Sequence, residues 1–169
     1  MPAATNSDKV IFALIAIGLL HWGACRNPLS TPKSVSETHA AKADSILNFA
    51  QTLIGTPYFF AGISPNTGFD CSGYTSYVFQ KFGVNIPHGS VEQMQQGSKI
   101  PLCEAQKGDL VIFTGTNKYD RVPGHVGIVL KNDTCIVSFI HSSSNGGVKI
   151  STIEKNYLAR FLAVKRLDY

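Results

Sequence analysis

The chain has 169 residues, of which 44% are hydrophobic and 15% charged, and its formal net charge is +4 at pH 7. Its basic residues are scattered, and no dense basic stretch carries interleaved aromatic residues, which argues against a nucleic-acid partner. Residues 37–169 are long enough for one domain with one hydrophobic core, and no internal repeat is visible.

The N-terminal segment has the features of an export signal. Lys9 precedes the apolar run Val10–Leu20. This run is shorter than the roughly 20 residues of a membrane span and suits the hydrophobic region of a signal peptide. The small residues Gly23 and Ala24 stand directly before Cys25, which resembles the cleavage site of a bacterial lipoprotein. We therefore expect residues 1–25 to be a signal peptide with lipidation at Cys25.

Two alternatives to lipidation stay open, namely ordinary secretion and an uncleaved anchor. All three place the rest of the chain outside the cytoplasm, in the cell envelope. Lipidation adds a membrane as a partner of the N-terminus. Residues 26–36 are rich in Pro, Ser and Thr without an apolar period, so we expect a tether there.

A first helix is predicted at about 37–54, where apolar residues recur at helical spacing and Gly55 marks the end. These apolar residues are Ile46, Phe49, Ala50 and Leu53. A second helix is predicted over Asp70–Phe82, where Tyr74, Val78 and Phe82 recur at every fourth position and Gly83 ends the pattern.

Cys71 falls in the first turn of that second helix. An unperturbed cysteine has a pKa of about 8.5, and the thiolate is the nucleophilic form. Free backbone N–H groups of a helix start stabilise a thiolate, and later an oxyanion. Asp70, the apparent N-cap, places a negative charge beside the sulfur and opposes this effect. We therefore expect a protonated histidine partner to supply most of the lowering of the Cys71 pKa.

The rest of the chain predicts a short helix near Ser90–Gln96 and then a series of strands. The strands are expected at Asp109–Phe113, His125–Leu130, Thr134–Ile140, Val148–Ser151 and Phe161–Arg166. Helices followed by antiparallel strands indicate an α+β fold with the helices packed on the sheet. Asp109 is expected to have a structural role at the start of its strand.

Two histidines are candidates for the partner of Cys71. His125 begins one apolar strand and His141 ends the next. If these strands pair as a hairpin, both imidazoles come close to the start of the second helix. One would then act as base and the other would orient it, as in a nucleophile–base–orienter triad.

Six short motifs in this chain resemble, in sequence and in order, those of the NlpC/P60 family of cell-wall cysteine peptidases, which have a papain-like fold. They are Gly55-Thr56-Pro57-Tyr58, Asp70-Cys71-Ser72-Gly73-Tyr74, Ile86-Pro87-His88-Gly89-Ser90, Gly108-Asp109-Leu110-Val111-Ile112-Phe113, Gly124-His125-Val126-Gly127-Ile128 and Phe139-Ile140-His141. The resemblance covers about residues 40–169, which we take as a catalytic domain over 37–169.

The resemblance implies a role for each motif. Cys71 is expected to be the nucleophile, His125 the general base and His141 the third polar residue. Tyr58 is expected to reach the active site and to support the oxyanion hole, the alternative being an aromatic residue packed in a loop.

The resemblance also implies a substrate-binding set, which consists of Asp70, Ser72 and Ser90. These residues are expected to recognise a free N-terminal amine, because a carboxylate forms charge-assisted hydrogen bonds with an ammonium group. Asp70 can also cap its helix, and the two roles are compatible. His88 is expected to line the cleft and not to act as a second base.

The family resemblance implies hydrolysis of peptidoglycan stem peptides, at the bond between γ-D-glutamyl and a diamino acid such as meso-diaminopimelate. No cofactor is implied, and no cysteine or histidine spacing typical of a metal site occurs. Two alternatives stay open: a thiol-dependent amidase or acyltransferase of the envelope, and a non-catalytic wall-binding lipoprotein.

Cys103 and Cys135 remain after Cys25 and Cys71 are assigned. They either form a disulfide, as an oxidising compartment permits, or Cys135 is buried in its apolar strand.

Overall fold

A computed structural model of the chain describes residues 35–169. The predicted signal peptide, the lipidation site Cys25 and the tether up to residue 34 lie outside the described residues. The first helix begins at Val35, inside the last two residues predicted as tether. Across residues 35–169, none of the helices combines the length and the apolar character that a bilayer crossing requires.

The described elements follow one another as helices first and strands afterwards, which confirms the predicted α+β class. The helices are α1 (Val35–Thr52), α2 (Cys71–Gln80), α3 (Ser90–Met94) and α4 (Lys155–Arg160). The strands are β1 (Ile63–Ser64), β2 (Gly68–Phe69), β3 (Ser98–Ile100), β4 (Leu110–Thr114), β5 (Pro123–Asp133), β6 (Ile136–Ser143), β7 (Gly147–Thr152) and β8 (Phe161–Arg166).

Six of the strands form one antiparallel sheet in the order β3-β8-β4-β5-β6-β7. β4 lies inside the sheet, and all five of its residues are buried, as its unbroken apolar run predicts. β5 and β6 form the predicted hairpin, with Ile128 opposite Ile140. His125 on β5 and His141 on β6 therefore lie on adjacent strands.

Helices α1 and α2 pack on the sheet through the apolar stripes that the sequence predicts. Ile46 and Ala50 of α1 and Tyr74 and Val78 of α2 are fully buried. The Tyr74 hydroxyl donates a 2.9 Å hydrogen bond to the Ala50 carbonyl, so the two helices are joined by a polar contact inside the core. α2 ends at Gln80, two residues before the predicted end.

The start of α2 is also tied to the sheet. The Ser142 hydroxyl, buried on β6, donates a 2.7 Å hydrogen bond to the Phe69 carbonyl oxygen. Phe69 is completely buried and stands two residues before Cys71. The first turn of α2 is therefore fixed relative to the strand that carries His141.

The β5–β6 turn differs from the prediction. Thr134 and Cys135 have φ values of 50° and 72°, so they form a left-handed turn and β6 begins only at Ile136. Cys135 is exposed, and it forms a disulfide with Cys103. The alternative of a buried Cys135 is therefore wrong: the apolar pattern of the segment belongs to Ile136 onward.

Asp109 has the predicted structural role. Its buried carboxylate accepts two hydrogen bonds from the Arg166 guanidinium, at 2.9 and 2.8 Å, and one from the Gln106 backbone N–H at 2.8 Å. This fork of two parallel bonds joins the start of β4 to the end of β8. The elements that were not predicted are the short strands β1, β2 and β3 and the helix α4.

Candidate active site

The start of α2 presents Cys71. Asp70 is the N-cap, with extended backbone, and its Oδ1 accepts hydrogen bonds from the Gly73 N–H at 2.6 Å and from the Ser72 hydroxyl at 3.0 Å. The capping role predicted for Asp70 is therefore present. Among residues 35–169, Cys71 carries the one free thiol.

The first turn of α2 contains Gly73, a position at which no side chain fits. A Cβ at this position would collide with the carbonyl oxygen of Gly62, from the loop that precedes the helix. The same Gly62 oxygen also accepts a 3.0 Å hydrogen bond from the Asp70 backbone N–H. Glycine at 73 thus lets the loop lie directly against the first turn and fix the direction of Cys71.

The Cys71 sulfur lies in a partly buried environment with mixed electrostatics. Burial, and then the negative charge of Asp70, raise the pKa of the Cys71 thiol. Hydrogen bonds from the backbone N–H groups of Val126, Ser72 and Cys71 itself oppose that rise. The Val126 contact also shows that the sulfur lies beside strand β5, next to His125.

Tyr58 lies close to this sulfur, as its motif predicts. Burial and the charges of Cys71 and Asp70 raise the pKa of the Tyr58 phenol, so the hydroxyl stays protonated and able to donate. Tyr58 lines the same cavity as Cys71. It is held there by a backbone bridge to Phe69, directly before the helix cap.

The two predicted histidines form a direct pair. His125 Nε2 and His141 Nδ1 are 2.7 Å apart, and the two rings are nearly perpendicular. His141 is completely buried, and its Nε2 lies 3.0 Å from the Ser151 hydroxyl on β7. Since His125 uses Nε2 for His141, its Nδ1 is the nitrogen left for the Cys71 proton.

These contacts define one consistent set of tautomers. If His125 Nδ1 is to accept a proton, Nε2 carries the hydrogen and donates to His141 Nδ1. His141 then carries its hydrogen on Nε2 and donates to Ser151. His141 thus orients His125, and Ser151 orients His141. Orienting His125 is the role expected of a third polar residue.

Gly127 makes room for this pair. A Cβ at Gly127 would approach the Phe139 ring to 2.6 Å and the His141 Cβ to 3.1 Å. A side chain there would displace His141 from the position in which it meets His125. The glycine in the Gly124-His125-Val126-Gly127 motif is therefore explained by the close approach of β5 and β6.

Tyr157 of α4 covers the histidine pair from the side opposite the sheet. Its hydroxyl lies 3.4 Å from His141 Nε2, and its ring lies roughly parallel to that of His125, with 6.3 Å between centroids. The Arg160 guanidinium in turn lies 5.6 Å from the Tyr157 ring centroid. Behind this cover His141 is completely buried, while His125 is half-buried.

This environment keeps both imidazoles neutral. Burial lowers the pKa of His125 to about 3, assisted by the positive charges of Arg160 and Lys149. Burial also lowers the pKa of His141, assisted by His125 and by the same two cations. The expected lowering of the Cys71 pKa by a protonated histidine is not what this arrangement gives, because the surroundings raise the pKa of the thiol and lower that of the His125 imidazole.

Two cavities meet at Cys71. The first, which we call the acidic cavity, has a volume of about 420 Å³ and contains the carboxylates of Asp70 and Glu92 with His88 and Ser90. The second, the basic cavity, has a volume of about 170 Å³ and is lined by His125, Tyr157, Arg160, Ser143 and Thr116 among others. Cys71, Tyr58 and Gly124 line both cavities, so the sulfur lies where they join.

The predicted substrate-binding residues all line the acidic cavity, but they differ in accessibility. Asp70 Oδ2 lies 2.9 Å from His88 Nε2, so the outer oxygen of the carboxylate faces the cavity beside this ring. Ser72 is only 6% exposed and its hydroxyl is committed to Asp70. Ser90 is half-buried at the start of α3. His88 lines the cavity wall, as expected.

Sequence reasoning missed four residues that build this site: Gln93, Ser151, Tyr157 and Arg160. Gln93 is fully buried and bonds to the Thr75 hydroxyl, the Ser72 carbonyl and the Pro87 carbonyl, which ties the His88 loop to α2. Ser151 stands two residues after Lys149, the cross-strand partner of His141. Alternation along β7 would have indicated Ser151 once that register was known.

The chain matches the model of the NlpC/P60 family over residues 55–166, and it therefore belongs to this family. A probable endopeptidase of Haemophilus influenzae is 36% identical over 118 residues, which cover 67% of each chain. The bifunctional muramidase/DL-endopeptidase CwlT of Bacillus subtilis is 34% identical over 114 residues, which cover 68% of this chain and 33% of that protein. The chain thus spans about a third of the length of the Bacillus relative.

Two solved structures of NlpC/P60 proteins share the fold of this chain. The NlpC/p60 domain of the peptidoglycan hydrolase SagA superposes with a TM-score of 0.61 at 31% identity, covering 74% of this chain and 98% of that domain. An NlpC/P60 family protein from Bacillus cereus superposes with a TM-score of 0.66 at 29% identity, covering 73% of this chain and 39% of that one.

The lowered pKa of His125 leads to a prediction about pH. A base that must be neutral loses function only as pH falls through its pKa, so the acid limb of kcat/KM should lie below pH 6.5, the ordinary histidine value. Lys149→Gln removes a positive charge that disfavours the imidazolium, so the acid limb should move to higher pH by about half a pH unit. Steady-state kinetics from pH 4 to 9 measure both limbs.

The matched control is Lys131→Gln, since Lys131 is exposed and paired with Asp133 at 2.8 Å. Its acid limb should coincide with that of the wild type. A wild-type acid limb at or above pH 6.5, unchanged in Lys149→Gln, would contradict the neutral-base description.

Proposed function

We propose that the protein is a thiol-dependent endopeptidase that hydrolyses peptidoglycan stem peptides at the bond between γ-D-glutamyl and a diamino acid. The observation that carries this proposal is the position of Cys71 at the junction of two cavities of opposite charge, beside a neutral His125 oriented by His141. Names of relatives support the substrate class: SagA is a peptidoglycan hydrolase, and a Bacillus subtilis relative is a gamma-DL-glutamyl hydrolase.

The proposed reaction begins with the transfer of the Cys71 proton to His125 Nδ1 as the sulfur attacks the scissile carbonyl carbon. Backbone N–H groups at the start of α2, with the Tyr58 hydroxyl, stabilise the resulting oxyanion. The C–N bond then breaks and His125 gives its proton to the leaving amine. Water attacks the thioester with His125 as base, the C–S bond breaks, and the thiol regains its proton.

His141 acts in this scheme as a positioning residue. It holds the His125 ring through the 2.7 Å contact at Nε2 and stabilises the positive charge that forms there during proton transfer. Because the half-buried ring that carries that charge lies near two cations, the imidazolium is short-lived and readily returns its proton. This suits a group that must act first as base and then as acid.

Asp70 is proposed to read the free N-terminal amine of the acyl half of the substrate in the acidic cavity. Its Oδ1 is saturated by the helix cap, while Oδ2 faces the cavity beside His88. An ammonium group entering there meets a carboxylate already fixed in direction by the cap. Capping and recognition therefore use different oxygens of one side chain.

The experiment that tests the function is mass spectrometry of purified stem peptides incubated with the protein. The wild type should release L-alanyl-γ-D-glutamate and a peptide beginning with the diamino acid. Cys71→Ala should release neither, because the nucleophile is gone, while unfolding at nearly the wild-type temperature, since a small side chain at a helix start contributes little packing.

A cysteine-matched control is the double variant Cys103→Ser/Cys135→Ser. The disulfide spans 32 positions, so its loss should reduce the free energy of unfolding by about 3–4 kcal/mol while the peptide products remain. Cleavage by Cys71→Ala at the wild-type rate would refute the thiol mechanism. A transfer product formed by the wild type would favour an acyltransferase, and release of the whole stem peptide from a muropeptide in a parallel digest would favour an amidase.

The role of Asp70 predicts a preference for unblocked peptides. Acetylation of the N-terminal amine removes a charge-assisted hydrogen bond, so kcat/KM should fall about 10- to 100-fold. Asp70→Asn should narrow this ratio, because a neutral amide does not favour a positive charge. Competition kinetics with the free and acetylated peptides measure the ratio directly.

Asp44→Asn is the control for charge alone, since Asp44 is exposed and pairs with Lys107 at 2.7 Å. It should keep the wild-type ratio. Because Asp70 also raises the pKa of Cys71, thiol titration of Asp70→Asn separates substrate recognition from a changed nucleophile. If Asp70→Asn leaves the ratio of kcat/KM for the free and acetylated peptides unchanged, Asp70 only caps its helix.

We also propose that the protein acts in the cell envelope, anchored through a lipid on Cys25. The Cys103–Cys135 disulfide supports an oxidising compartment, since such bonds are rare in the cytosol. Metabolic labelling with a fatty-acid analogue should mark the wild type and leave Cys25→Ser unlabelled. If the wild type is secreted without the label, the protein is exported without a lipid anchor.

A further inference from the structure

The basic cavity contains a cation that the proposed chemistry does not use. Arg160 lines this cavity together with Cys71 and His125. Its Nη2 donates a 2.8 Å hydrogen bond to the Thr114 carbonyl oxygen. Its Nε is buried and, within residues 35–169, has no hydrogen-bond partner. A guanidinium has five N–H donors, so Arg160 retains donor capacity for a ligand.

The charge of Arg160 is also uncompensated. In the described part of the chain, Asp44, Asp109 and Asp133 pair with lysine or arginine side chains and Asp70 contacts His88; none of these contacts includes Arg160. Lys149 is similar, since its ammonium group donates to the Asn145 carbonyl oxygen. Both cations lower the pKa values of His125 and His141, which shows that their field reaches the histidine pair.

Arg160 is held where a ligand in the cavity would meet it. The Thr114 carbonyl fixes one edge of the guanidinium, and the Tyr157 ring lies beneath it at 5.6 Å. Tyr157 is itself packed between Phe113, Phe139 and the histidine pair. The position of the charge is therefore set by the same aromatic cluster that covers His125.

The two cavities give the cleft a polarity. Asp70 and Glu92 lie on one side of Cys71, and Arg160 lies on the other. A peptide that places its scissile carbonyl at the sulfur and its free amine at Asp70 must extend the leaving amine and its substituents into the basic cavity. A guanidinium in that position favours an anionic substituent, because it binds carboxylates through paired N–H donors.

We propose that Arg160 is a specificity residue that recognises a carboxylate on the residue following the scissile bond. This inference rests on the proposed function and deepens it, since it selects leaving groups that carry a negative charge. Meso-diaminopimelate has such a carboxylate on its side chain, and lysine does not. A free α-carboxylate on the same residue would supply the same chemistry.

Three synthetic tripeptides distinguish these sources. All begin with L-alanyl-γ-D-glutamyl and end with meso-diaminopimelate. One has only the side-chain carboxylate free, one has only the α-carboxylate free, and one has both as carboxamides. For the wild type at pH 8, one of the two mono-carboxylates should have a kcat/KM about 10- to 100-fold above that of the dicarboxamide.

Arg160→Gln should bring that ratio close to one. Arg160→Lys, which keeps the charge and loses the planar fork, should give an intermediate ratio and serves if the glutamine variant does not fold. The matched control is Arg121→Gln, because Arg121 is exposed and donates to the Phe161 carbonyl oxygen at 2.8 Å. It should keep the wild-type ratio.

The outcomes separate the inference from the function on which it rests. Cleavage of all three peptides by the wild type at equal rates overturns the role of Arg160 and leaves the endopeptidase proposal standing. An unchanged ratio in both Arg160→Gln and Arg160→Lys does the same. If the wild type cleaves none of the three peptides, the proposed function is wrong and the inference falls with it.

Discussion

The hydrogen bond between His125 and His141 is the contact on which the rest of the site depends. It joins two neighbouring strands at 2.7 Å, with the inner ring completely buried. A buried polar ring is costly unless its nitrogens find partners, and both nitrogens of His141 do: Nδ1 meets His125 and Nε2 meets Ser151. The pairing occupies Nε2 of the half-buried His125 and leaves its Nδ1 free of His141.

Glycine and tyrosine residues make this contact possible from opposite sides. Gly127 leaves the space in which the His141 ring stands, and Tyr157 closes that space from above. The sheet is tied to α2 by the bond from Ser142 to Phe69, so the thiol cannot drift away from the imidazole. Cys71 and His125 thus belong to different elements that the core holds in one arrangement.

The chemistry of the pair differs from a preformed thiolate–imidazolium. Burial raises the pKa of the thiol and lowers that of the imidazole, so both changes favour the neutral forms. In the proposed reaction, charge then develops during the attack itself, when backbone N–H groups are in place to stabilise it. The negative charge of Asp70, which caps the helix beside the sulfur, also favours the neutral thiol.

Most of the structure that the sequence predicted follows from residues close together along the chain. Asp70 as cap and Cys71 as the start of α2 follow from neighbouring residues, and the structure has the cap one position before the helix. The apolar runs predicted five of the strands, within one to three residues at most ends, because a strand buried inside a sheet leaves a continuous apolar pattern. Family motifs, and not periodicity, assigned the roles of His125 and His141.

What escaped prediction depends on contacts between distant elements. Helix α4 has only six residues and no apolar period, so nothing local marks Tyr157 or Arg160 as parts of a site. The Cys103–Cys135 disulfide stayed open because Cys135 adjoins an apolar run, and only the left-handed turn at Thr134 and Cys135 turns it outward. The direction of the Cys71 pKa also required the burial of the sulfur, which the helix start alone does not reveal.

The ionisation of Cys71 in the free protein can be measured to test whether the thiol is neutral. Thiolate has an ultraviolet absorbance that thiol lacks, so the difference between the wild type and Cys71→Ala as a function of pH reports on this sulfur alone. We expect a neutral thiol at pH 7, with thiolate absorbance rising only above the ordinary thiol pKa of about 8.5. A thiolate already formed at neutral pH, with a midpoint well below that value, would contradict it.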